Sequence, residues 1–178
     1  MVERESKSSS ASYSFRRPNV LKVGDPAPNF SVPGDDGRPV SLTDFRGHSV
    51  VLYFYPKAGT SGCTCEANEF RDLQKEFTKL GAVILGCSAD KVEGQARFKS
   101  KERLNFTLLS DPEFVVIESY GARRMKSFLG KSFLGIVRST ALVGPDGKIL
   151  KVWETAPAKG HAADVLKAVR ALQTNMED

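Results

Sequence analysis

Cysteine is scarce in this chain, with three in 178 residues, and it has only two histidines and one tryptophan. So odd and sparse a count cannot build a disulfide framework, because at least one thiol stays unpaired. No apolar run approaches the roughly 20 residues that a helical membrane span requires, so no membrane span is expected. A charge of one sign is missing too: 26 Lys+Arg against 21 Asp+Glu leaves +5. That excess is too mild to argue for nucleic acid as a partner. A metal site on Cys63-x-Cys65 would want two more ligands, and neither His48 nor His161 has ligand spacing. What the chain does have is 40% hydrophobic residues, 15 Gly and 9 Pro. At this length a single domain buries roughly 70% of its unfolded surface. The expectation is one soluble, intracellular domain.

Residues 1–20 differ in composition from the rest. Six serines lie between Ser6 and Ser14, with almost no large aliphatic side chain. Such a segment cannot bury enough apolar surface to offset its ordering entropy, which predicts a disordered tail followed by one domain over 21–178. Arg16-Arg17 in a Ser-rich context faintly suggests an organelle address, and Glu3 and Glu5 count against it.

The body alternates strand and helix patterns. Ser49–Tyr55 is a continuous β-branched and aromatic run, the mark of a strand buried on both faces. Phe70, Leu73, Phe77 and Leu80 recur at helical spacing over Cys63–Lys79, and Gly81 ends that helix. Ala82–Cys87 reads as a second apolar strand. Val92–Arg103 reads as a helix with Ser88-Ala89-Asp90 offering its cap. A short strand (Phe106–Leu109) and a short helix (Glu113–Tyr120) follow. Arg138–Val143 and Lys148–Trp153 flank the turn signal Gly144-Pro145-Asp146-Gly147, and His161–Gln173 forms the last helix. This order implies a thioredoxin-like α/β fold, a central mixed β-sheet with helices on both faces. Arg97, Lys99, Lys101 and Arg103 read as a solvated helix face, Arg123-Arg124 as a loop surface, and Trp153 and His161 as packing residues.

In such sheets chemistry collects beyond the carboxyl ends of the strands, which directs attention to Pro56-Lys57-Ala58-Gly59-Thr60-Ser61-Gly62-Cys63. A sulfur opening a helix faces unpaired N–H groups and the positive end of the helix dipole, both of which favour its ionised form. Pro56 can shield it from bulk water, Thr60 supplies a hydroxyl that both donates and accepts, and a nearby arginine would offer several donors to a peroxide.

Pro56-x-x-x-Thr60-x-x-Cys63 resembles the active-site motif of the peroxiredoxins. Tyr53-Phe54-Tyr55-Pro56-Lys57 and Cys63-Thr64-x-Glu66-Ala67 resemble the peroxiredoxin Q, or bacterioferritin comigratory protein, branch. So do Gly24–Phe30, Ser41–Gly47, Leu109-Ser110-Asp111, Lys126–Lys131, Gly135–Thr140, Pro145–Lys148 and Gly160-His161, in colinear order. The resemblance implies thioredoxin-dependent reduction of hydrogen peroxide and organic hydroperoxides in antioxidant defence, with no metal, haem or flavin. It maps the peroxidatic cysteine to Cys63, the motif residues to Pro56 and Thr60, the active-site arginine to Arg138, and a residue holding that arginine to Glu66. Cys63 becomes a sulfenic acid that a second thiol converts to a disulfide. The implied partners are a hydroperoxide and thioredoxin or another thiol, and the implied state is a cytoplasmic monomer.

The resolving thiol departs from the branch. The usual positions fall on Asn68 and near Lys99, which leaves Cys65, Cys87 or a thiol from outside the chain. Side chains at i and i+2 of a helix point apart, so a Cys63–Cys65 bond needs the first turn to unwind. Cys87 lies at the correct end of the sheet, although a buried cysteine there is most simply core. A peroxide sensor using the same Cys63 chemistry is the alternative reading.

Overall fold

The computed structural model describes residues 20–176. The Ser-rich tail therefore lies outside the described residues, apart from the exposed Val20. The elements in chain order are β1 (Ser31–Pro33), β2 (Pro39–Ser41), a 3-10 turn (Leu42–Phe45), β3 (Ser49–Phe54), α1 (Ser61–Lys79), β4 (Ala82–Ser88), α2 (Val92–Glu102), β5 (Thr107–Ser110) and α3 (Val115–Ser119). They continue with β6 (Arg123–Phe128), β7 (Lys131–Ile136), β8 (Ser139–Val143), β9 (Ile149–Trp153) and α4 (His161–Thr174).

Five strands form the central sheet in the order β5-β4-β3-β8-β9. β3, β4 and β5 run parallel, while β8 and β9 are antiparallel. The continuous apolar run of β3 occupies the middle, and its side chains alternate between two core layers. Val50, Leu52 and Phe54 enter one layer with Leu85, Cys87, Leu109 and the α3 residues Val116 and Ile117. Val51, Tyr53 and Tyr55 enter the other with Phe70 and Phe77 of α1, Phe98 of α2, and Val165 and Val169 of α4. Helices thus cover both faces of a mixed sheet, as the element order implies.

One glycine makes the second layer possible. A Cβ on Gly86 would lie 2.9 Å from both the Tyr53 ring and Leu108 Cδ2. Without it, the Tyr53 ring lies across the strand and stacks on Phe70 at 4.6 Å.

The structure departs from the sequence expectations in three places. α1 begins at Ser61 rather than Cys63, because Thr60 is the extended N-cap residue and its carbonyl already accepts from the Thr64 amide at 2.9 Å. Ser88 and Asp90 do not cap α2, whose N-cap is Lys91; they are drawn into a buried network instead. Arg123-Arg124 lies on β6 rather than in a loop. Arg123 Nη1 reaches Glu118 Oε1 at 2.7 Å with its guanidinium over the Phe114 ring, and Arg124 donates to the Glu154 carbonyl. The hairpins β1–β2 and β6–β7 are additions, each a two-stranded ribbon outside the central sheet.

Candidate active site

β3 ends at Phe54 and the chain turns through Pro56–Thr60 into α1. This loop is held from two sides. Asp90, beyond the end of β4, accepts the Ala58 amide at 2.8 Å, and Thr60 Oγ1 donates to the Lys57 carbonyl at 2.9 Å. The Asp90 carboxylate also accepts from Ser88 Oγ at 2.6 Å, and Ser88 Oγ accepts from Gln95 at 2.9 Å. Gln95 in turn accepts from the Tyr55 hydroxyl at 2.5 Å and donates to the Leu109 carbonyl at 2.8 Å. Buried polar groups need partners, and this chain satisfies its members while tying the loop to β3, β4, β5 and α2. The spacing of Tyr55, Ser88, Asp90 and Gln95 gives no local signal of this; only the parallel sheet joins them.

In the first turn of α1, Cys63 is 1% exposed and packs in the Tyr53 layer. Helix amides at this end have no partner within the helix. Arg138, just ahead of β8, reaches over the turn and places Nη2 at 3.5 Å from Cys63 Sγ. Its Nη1 lies 3.3 Å from Oε1 of Glu66, one turn further along α1. Cys63, Glu66 and Arg138, separated by up to 75 positions, thus form one cluster. Gly62 keeps the approach open, since a Cβ there would lie 3.1 Å from Arg138 Nη2.

The charges of this cluster are unevenly solvated. Burial pushes the Glu66 carboxyl up to about 8, with the Arg138 charge and hydrogen bond pulling the other way. Its Oε2 is buried without a partner among the described residues, as is the Tyr53 hydroxyl. Burial works against the charge on Arg138, but Glu66 and the Cys63 sulfur outweigh it and hold the guanidinium above its ordinary value. Behind the cluster His161 is pulled down to about 4, mainly by burial. It is therefore neutral at physiological pH and shares a 2.7 Å hydrogen bond with Thr140 Oγ1, its ring edge-on to Phe70 and Trp153.

Pro56 is half-buried at the head of the loop. Thr60 is exposed, and its hydroxyl is engaged with Lys57 rather than with the sulfur, which leaves its lone pairs free to accept. Cys65 is half-buried, with Sγ 4.0 Å from Glu69 Oε1. Cys87 lies at the same end of the sheet as Cys63 but on the opposite face. It pairs with Phe54 across β3–β4 and lies in the Phe54 layer, whereas Cys63 lies in the Tyr53 layer. The two branch positions that would carry a resolver hold Asn68, which accepts from Arg71, and Lys99, which pairs with Asp35 at 3.2 Å.

A thiol at the head of a helix beside a guanidinium, at the carboxyl edge of a mixed sheet, defines a thioredoxin-like protein arranged for cysteine redox chemistry. Residues 23–152 match the AhpC/TSA family. The chain is 49% identical to peroxiredoxin Bcp of Escherichia coli over 148 residues, which is 83% of this chain and 95% of that protein. It is 41% identical to peroxiredoxin Bcp of Bacillus subtilis over 151 residues, 85% of this chain and 96% of that one. Among solved structures, peroxiredoxin Q of Xanthomonas campestris superposes with a TM-score of 0.79 at 37% identity, covering 85% of this chain and 96% of that chain. The bacterioferritin comigratory protein of the same organism, studied for its alkyl peroxide reduction activity, gives 0.79 at 36% identity, covering 85% and 97%. The chain belongs to the AhpC/TSA family, as a peroxiredoxin of the Bcp, or Q, branch.

Proposed function

We propose that this peroxiredoxin reduces hydrogen peroxide and organic hydroperoxides through Cys63, as a monomer recycled by thioredoxin or a similar thiol. The observation that carries the reading is the 3.5 Å approach of Arg138 Nη2 to a buried Cys63 Sγ, with Glu66 holding the other guanidinium nitrogen. The Cys63 thiolate attacks the terminal peroxide oxygen along the O–O axis. The S–O bond forms, the O–O bond breaks with both its electrons, and the departing hydroxide or alkoxide takes a proton to leave as water or an alcohol. Arg138 and the free amides of the α1 terminus stabilise the charge as it passes from sulfur to oxygen. Thr60 accepts from the peroxide hydroxyl and orients it. Cys63 is left as a sulfenic acid.

The sulfenic acid condenses with a thiol from outside the chain, releasing water and forming a mixed disulfide that a dithiol reductant then opens. Three features favour an outside thiol: Cys87 in the opposite layer, Cys65 two residues along a regular helix, and no cysteine at 68 or 99. Peroxide consumption coupled to NADPH through thioredoxin and its reductase tests the reading. Many turnovers per chain are expected; consumption that stops near one equivalent would make the protein a sensor instead.

A further inference from the structure

The β6–β7 ribbon plays no part in the chemistry above, yet five of the nine exposed large hydrophobic side chains among the described residues lie on it. Among the described residues its two strands pair only with each other. They meet at Leu129-Gly130, where both residues have positive φ, +50° and +76°. This conformation is natural for Gly and strained for Leu, whose side chain is 87% exposed at the very tip. A polar residue would fit the turn better, so the apolar side chain there asks for an explanation. Phe128 beside it is 67% exposed.

The apolar groups occupy both sides of the ribbon. The register puts Met125 opposite Leu134 on one face, and Phe128 and Phe133 on the other. All four are exposed. A folded protein docking on a ribbon covers one face, whereas a medium that surrounds the tip covers both. The charge of the arm is of one sign. No Asp or Glu occurs from Gly121 to Arg138. Among the described residues Arg124, Lys126 and Lys131 have no ion-pair partner, although Lys126 Nζ does donate to the Ile136 carbonyl at 2.9 Å. A second copy of this chain would bring like charges together at the same surface.

We propose that the β6–β7 arm is a membrane-surface anchor, which inserts Phe128, Leu129 and Phe133 into the interface of an anionic bilayer while Lys126 and Lys131 meet the lipid headgroups. Apolar insertion combined with basic residues at headgroup depth is how peripheral proteins hold an anionic surface. Arg138 follows β7 by two residues, so the arm's base stands beside the cysteine cluster. One consequence rests on the peroxidase reading: the anchor brings Cys63 to hydroperoxides formed on lipid chains.

The test is co-sedimentation of the full chain with vesicles of phosphatidylcholine alone and of phosphatidylcholine with phosphatidylserine. Two variants accompany it: Phe128→Ser with Leu129→Asn, and Lys126→Glu with Lys131→Glu. Asn tolerates the left-handed backbone and Phe128, Leu129 and Lys131 are exposed, whereas Lys126 is half-buried and gives up its bond to the Ile136 carbonyl, so circular dichroism of both variants accompanies the assay to show that the fold is kept. The wild type is expected on phosphatidylserine vesicles, salt-sensitively. Each variant should bind roughly tenfold or more weakly, with turnover of hydrogen peroxide in solution unchanged. Peroxide turnover is read separately, so loss of the peroxidase reading and loss of the anchor are distinct results. Absence of the wild type from anionic vesicles, or equal binding by the variants, would overturn the proposal. So would a wild-type dimer that the first variant dissociates, or capture of an acidic reductase through the arm without vesicle binding.

Discussion

At the scale of single residues, the cluster around Cys63 is asymmetric in what each side chain does. Among the described residues Arg138 spans the sulfur and the carboxylate, so its removal should act on rate, and it also leaves the buried Glu66 carboxyl without its partner. Arg138→Ala is expected to lower kcat/KM for hydroperoxide roughly a hundredfold to a thousandfold, the order seen when one donor to a developing oxyanion is lost. Rapid-mixing measurement of peroxide consumption checks this, and unchanged kinetics would take Arg138 out of the reaction. Glu66 leaves its mark on pH dependence. Its carboxyl moves from an ordinary value of 4.5 to about 8 on folding, so between those values the folded chain holds a proton that the unfolded chain releases. The Glu66 contribution to stability is therefore present below about pH 4.5 and is lost as pH rises towards 8. His161 works in the opposite sense, since its fall to about 4 makes the fold lose stability as pH drops below its ordinary 6.5. In Glu66→Gln, chemical denaturation between pH 6.5 and 8 should show a flatter pH dependence than in the wild type.

The elements decide how precisely that cluster is held. β3 was fully legible, because an unbroken run from Ser49 of β-branched and aromatic residues has no other comfortable place than the middle of a sheet. The periodicity of α1 was equally clear. Its start shifted by two residues because capping is decided by backbone geometry at Thr60, which apolar spacing does not report. The β6–β7 ribbon was illegible for a related reason. Its turn is Leu-Gly, without the Asn-Gly or Asp-Gly signature, and its alternation is blurred by apolar groups on both faces. Ser127–Gly130 and Ser132–Gly135 carry the same four residue types, the first running into the turn and the second lying on β7, with Ser127 facing Ser132. The close fit of β3 on β4 gives a test at this scale. Gly86→Ala should cost about 1–3 kcal/mol, because the new methyl has no room against Tyr53 and Leu108. A urea midpoint equal to the wild type would show that the layer yields more easily than its packing implies.

Across the whole molecule, the sheet acts as a partition. Cys63 and Cys87 lie at the same end of it but on opposite faces, a relation that follows from period-two alternation through Phe54 and Tyr53. Sequence position brought Cys87 to the correct end and could not give its face, because the register of β4 against β3 comes from long-range pairing. Cys63, Glu66 and Arg138, by contrast, were legible through motif resemblance before any contact was known, and the geometry then brought all three together. The partition carries its own prediction. Peptide mapping after treatment with one equivalent of peroxide should find no Cys63–Cys87 disulfide, and Cys87→Ser should turn over like the wild type. A Cys63–Cys87 bond in the wild type would mean that the fold opens far more during the cycle than its packing suggests. The account as a whole stands on one sulfur. The most direct test is peroxide consumption by Cys63→Ser beside Cys65→Ser and Cys87→Ser, with a dithiol reductant in excess. Complete loss in Cys63→Ser, with the initial peroxide-reducing step kept in the other two, is the predicted result; peroxidase activity persisting in Cys63→Ser would contradict it.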